Sequence, residues 1–74
     1  MEDDKNERNA KKIDFFMKNE IKVHVVLKNF KFWNGVIVAS KGEGLWSMME
    51  DRFGARLLFI DDVHEVDEYS EVRK

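Results

Sequence analysis

Cysteine and proline are both absent from the 74-residue chain, which carries only four glycines, two histidines and one tyrosine. Without cysteine there are no disulfides and no thiolate metal sites, and the absence fits a reducing compartment. His24 and His64 are too few for a histidine metal cluster, so no cofactor is expected. No apolar run approaches the roughly 18 residues of a membrane span. The acidic, polar start is unlike a secretory signal, which begins basic and turns apolar. The expected location is therefore cytoplasmic. A core this small lies near the lower limit of independent stability, and oligomerisation is the remaining source of support.

A large excess of positive charge is also missing. Thirteen basic residues face fifteen acidic ones, for a formal charge of -2, so bulk electrostatics do not point to nucleic acid. The charge is unevenly placed, however. Lys18, Lys22, Lys28 and Lys31 cluster early, whereas Asp61, Asp62, Glu65, Asp67, Glu68 and Glu71 gather at the end. One basic face and one acidic edge suit head-to-tail association or local RNA contact. The plainer reading is a solvated surface.

Residues 1–8 hold no apolar side chain after Met1 and are expected to be disordered. From Asn9, the spacing of Ala10, Ile13, Phe16 and Met17 predicts one short amphipathic helix ending at Asn19. The period then changes to two. Ile21, Val23, Val25 and Leu27 alternate with more polar positions, as in a half-buried strand. Asn29-Phe30 is a tight turn, with asparagine taking the left-handed position. A long strand from Lys31 to about Ser40 is interrupted by Gly35, which marks a bend or bulge. Strands over 45–50, 55–60 and 63–69 follow, separated by Lys41–Gly44, Asp51–Gly54 and Asp61-Asp62. The fold class is mainly β: an N-terminal α-helix followed by a strongly bent five-stranded antiparallel barrel. The domain runs over 9–69, with a polar tail at 70–74.

No catalytic constellation emerges. Ser40 and Ser47 have no suggestively placed histidine, and His24 and His64 fall on polar phases of their strands. Asp61-Asp62 reads as turn chemistry. Gly42-x-Gly44 precedes a strand instead of a helix, which fails the context of a phosphate cradle. The chain is not expected to be an enzyme.

Two stretches carry a family resemblance. Leu27-Lys28-Asn29-Phe30-Lys31-Phe32-Trp33-Asn34-Gly35 resembles the first Sm motif, with Leu27, Lys28, Asn29, Trp33 and Gly35 in register. Residues 54–66 resemble the second motif without gaps, matching in type at Gly54, Leu57, Leu58, Asp61, Val63 and Val66. The chain is thus similar, over about 9–69, to the Sm/LSm-like (Hfq-related) small barrels.

That resemblance implies a ring, in which the fourth strand of one subunit pairs with the fifth of the next. The expected interface comprises Leu57, Leu58, Phe59, Ile60, Val63 and Val66. The apolar stretch 57–60 independently argues that this edge needs cover, and head-to-tail pairing closes if the rotation permits. RNA-binding relatives use an aspartate and an asparagine in the loop between strands two and three, where this chain has Lys41 and Leu45. They use an Arg-Gly pair after strand four, here Phe59-Ile60. The turn glycine is replaced by Phe30. The family's uridine pocket is therefore not retained. RNA association would instead rest on stacking at Phe30, Phe59, Trp33 or Trp46, with Lys28, Lys31, Lys41 and Arg52 taking phosphates; the plainer reading of the two tryptophans is barrel core or subunit interface. The alternative is an adaptor that binds no RNA and meets a protein partner through the helix or acidic tail.

Overall fold

The computed structural model describes residues 2–70; Met1 and residues 71–74, including Glu71 of the acidic tail, lie outside the described residues. Helix α1 (Glu2–Lys18) leads into β1 (Val23–Leu27), β2 (Phe32–Gly42), β3 (Leu45–Glu50) and β4 (Gly54–Phe59). A single 3-10 turn (Ile60–Asp62) then opens β5 (Val63–Glu68). All pairings are antiparallel, in the spatial order β4-β3-β2-β1-β5. This is the mainly-β, helix-first architecture expected, with one correction. β4 and β5 lie at opposite ends of the strand order, so the sheet does not close into a barrel.

The helix starts seven residues earlier than its apolar stripe indicates. Residues 2–8 are helical, not disordered. Polar contacts supply the order that apolar burial does not: Lys5 Nζ donates to His64 Nδ1 at 3.1 Å and Asn6 Nδ2 to Asp61 Oδ1 at 3.1 Å. Further along, Ile13 is fully buried, with Ala10, Phe16 and Met17 packed beside it. Trp46 donates its indole N–H to Asp14 at 3.0 Å, pinning α1 to β3. The helix ends at Lys18, directly before the expected stop at Asn19, but the left-handed residue is Glu20 and not the asparagine. Glu20 has φ +55, and the amides of Glu20 and Ile21 return to the Met17 and Phe16 carbonyls, a left-handed C-terminal cap.

Alternation in β1 is strict, and Val23, Val25 and Leu27 enter the core with Ile37, Trp46, Met48, Leu58, Val63 and Val66. Gly35 is needed for a reason other than a bulge. A Cβ there would lie 2.0 Å from the Met49 carbonyl oxygen, while the register shifts of β2 fall later, at Ile37/Ala39 and Ser40/Gly42. Those irregularities let one long strand bend.

Glu50 closes the β3–β4 connection from within and is only 2% exposed. Its carboxylate accepts the backbone N–H groups of Asn34 (3.1 Å), Arg52 (2.8 Å) and Phe53 (2.9 Å), and the Arg52 Nε–H at 3.4 Å. Burial by itself would push its pKa up. The three amides and the guanidinium outweigh that and hold it below the ordinary carboxylate value.

Candidate functional site

The β1–β2 turn is built from its own backbone. Leu27 N donates to Lys31 O at 2.8 Å and Phe30 N to Leu27 O at 2.8 Å, while Asn29 Oδ1 accepts from Lys31 N at 3.0 Å. Asn29 therefore braces the turn through its side chain, and the left-handed position falls on Phe30 (φ +70). A phenylalanine there pays the Cβ–carbonyl clash that glycine avoids, about 1–2 kcal/mol. Its ring gains no burial in return, being 85% exposed. Lys28 and Lys31 flank it, both exposed.

A groove of about 530 Å³ opens beside this turn. Leu27, Lys28, Asn29 and Trp33 form one wall; Leu57, Leu58 and Phe59 of β4 form the other, and Asp62 lines it as well. Lys28 N donates to Asp62 O at 2.9 Å, which ties the turn to the 3-10 segment. The groove thus has apolar and aromatic walls with one cation and one carboxylate, a composition that suits a flat ring with a charged substituent.

Of the six phenylalanine and basic residues expected to contact RNA, Lys28 and Phe59 line this groove, and Phe30 and Lys31 project from the adjoining turn. Lys41 is exposed on β2 and does not line it. Arg52 is not free as expected. Its guanidinium donates to Phe32 O at 2.8 Å and to Glu50, and lies about 5.0 Å from the Phe32 and Phe53 ring centres. It is a brace for the β3–β4 turn.

The expected interface residues also divide. Leu58, Val63 and Val66 are wholly buried in the chain's own core, so their side chains are not available to a neighbour. Ile60 is half-buried over Gly44. Leu57 and Phe59 remain, 50% and 47% exposed on β4. Asp61-Asp62 form the 3-10 segment, and Asp61 receives Asn6 instead of capping its own backbone. His24 donates from Nδ1 to Asn34 Oδ1 at 2.6 Å, beside a smaller pocket with Glu68, Tyr69 and Ser70. No group of three or more metal-ligating side chains occurs among the described residues, and no described helix is long and apolar enough to cross a membrane.

Three features were missed from sequence. Asn9 and Lys12 run along β5: Asn9 Nδ2 donates to His64 O at 3.4 Å and Lys12 Nζ to Val66 O at 3.3 Å. Asn9 carried a signal in retrospect, lying one turn before Ile13 on the buried stripe. The Glu50 knot and the Asp14–Trp46 bond join residues 16 or more apart in sequence, or rest on backbone amides, and had no local signal.

Scans against protein-family models, curated proteins and solved structures return no match.

Proposed function

We propose that the chain is a non-enzymatic, Sm-like β-module that self-associates through an open sheet edge and binds single-stranded RNA at its β1–β2 turn. The observation that carries the RNA reading is Phe30. A large aromatic held at φ +70 and 85% exposed lowers the stability of the fold by backbone strain and recovers nothing by burial. Lysines at 28 and 31 lie beside it, and the groove lined by Trp33 and Phe59 begins next to it. Bases stack on exposed aromatics while neighbouring cations take phosphates, and that combination tolerates a net charge of -2 because it needs only a local field. The family's hydrogen-bonding pocket is not part of this reading. Leu45 and Phe59 pair across β3 and β4, with Ile60 next in sequence, so those positions make an apolar patch. The proposed binding is accordingly tolerant of base identity.

The test is equilibrium binding of single-stranded oligouridylate and oligoadenylate at low salt. Binding that weakens about 5- to 100-fold on Phe30→Ala supports the reading, since one stacked base contributes about 1–3 kcal/mol. Absence of binding to both oligomers overturns it.

One observation favours the adaptor reading. Val36, Val38 and Met49 are exposed on β2 and β3, and such an apolar face suits a protein partner. An inert turn together with a partner lost on Val38→Lys would favour it.

A further inference from the structure

The two sheet edges are not equivalent. The bond from Tyr69 N to Lys22 O sets the parity of β5 as far as the register shift at Val26/Leu27, so that 65, 67 and 69 turn their backbone groups to β1 and 66 and 68 turn theirs outward. The outward Val66 O accepts Lys12 of α1, and His64 O, at the shift, accepts Asn9. Lys12 also pairs with Asp67 at 3.4 Å, and exposed Glu65, Asp67 and Glu68 line the same strand. β5 is thus a covered and charged edge, protected as edge strands commonly are.

β4 has none of these protections. Ile60 N donates to Gly44 O at 2.8 Å, and the β3–β4 register is unbroken. Residues 54, 56 and 58 therefore face β3, and Ala55, Leu57 and Phe59 direct their N–H and C=O groups away from the sheet. No described segment covers them. The strand has no proline or bulge, and Arg56 is its one charge.

We propose that β4 pairs with β4 of a second copy across a two-fold axis at Leu57, forming one continuous sheet of two chains. This rests on the self-association part of the proposed function; it shares Leu57 and Phe59 with the groove but does not involve Phe30 or the lysines of the β1–β2 turn. Antiparallel pairing about Leu57 sets Leu57 against Leu57 and Ala55 against Phe59 in hydrogen-bonded positions, with about six inter-chain backbone bonds. It puts Arg56 opposite Leu58; centring one residue earlier would oppose Arg56 to Arg56. Side chains of Ala55, Leu57 and Phe59 from both copies then share one face. A two-fold contact is isologous and stops at two, whereas a head-to-tail ring would need the β5 edge that α1 occupies.

Sedimentation of the whole chain at about 100 µM tests the proposal. A species of about 18 kDa, twice the 8.8 kDa chain, is expected. Leu57→Lys sets two like charges face to face and weakens the dimer at least about tenfold; Leu57→Glu does the same. Mixing the two variants restores an 18 kDa species, because the axis brings position 57 against itself. Far-UV circular dichroism on each variant establishes that it is folded. A 44–70 kDa ring, with self-association intact, overturns the two-fold arrangement alone. An 8.8 kDa monomer overturns both it and self-association. Failure of two folded variants to rescue each other also overturns it.

Discussion

Single residues carry the conflict between stability and use most visibly at Phe30 and Glu50. Phe30 is left-handed, exposed and hydrogen-bonded only through its backbone. Phe30→Gly relieves the strain, partly offset by the greater freedom of glycine in the unfolded chain. We expect a gain of about 1 kcal/mol, or roughly 4–8 °C in thermal midpoint for a domain of this size. The same substitution should abolish the stacking contribution to RNA binding, so stability and affinity move in opposite directions. Glu50 has the reverse character, wholly structural and buried. Because its folded pKa lies below its unfolded one, its contribution is full above the ordinary carboxylate range and is lost as pH falls through the folded pKa. Glu50→Gln leaves the amides of Asn34, Arg52 and Phe53 with fewer acceptors and should cost about 2 kcal/mol at neutral pH. In urea unfolding, the gap between wild type and variant should narrow on acidification; a pH-independent gap would refute the role given to the charge.

Elements were legible where periodicity alone decides them. The change from a 3.6-residue to a two-residue period after Glu20, and the strict alternation of 23–27, placed the part of α1 from Asn9 onward, and β1, without help. What escaped was anything settled by a contact distant in sequence. The first turns of α1 have no apolar stripe and are ordered by Asp61 and His64. Leu58, Val63 and Val66 were expected at an interface on the family resemblance, which does not reveal whether the chain itself already covers an apolar side chain. Gly35 was noticed for the right residue and the wrong reason: the constraint is the Met49 carbonyl of the neighbouring strand. Gly35→Ala should therefore force β2 and β3 apart and destabilise the fold by about 3 kcal/mol. Amide exchange would locate the loss at the β2–β3 ladder. Protection there equal to wild type would contradict the close-approach account.

At the scale of the molecule, one sheet presents three surfaces of different chemistry. β5 is sealed by α1, β4 is bare, and the β1–β2 turn projects an aromatic between lysines beside an apolar groove. Neither catalysis nor bulk charge is needed to give this arrangement a purpose; assembly along β4 would place two turns on one particle and raise affinity for a strand long enough to reach both. The most direct measurement is fluorescence anisotropy of a labelled single-stranded RNA titrated with wild type, Phe30→Ala and Phe30→Gly across a salt series. The account predicts saturable binding by wild type, with log K falling against log salt at a slope of about -1.4 for two phosphate contacts per chain. It also predicts a large loss in both variants, including the more stable Phe30→Gly. Equal affinity in all three proteins, or no binding at the lowest salt, would contradict it.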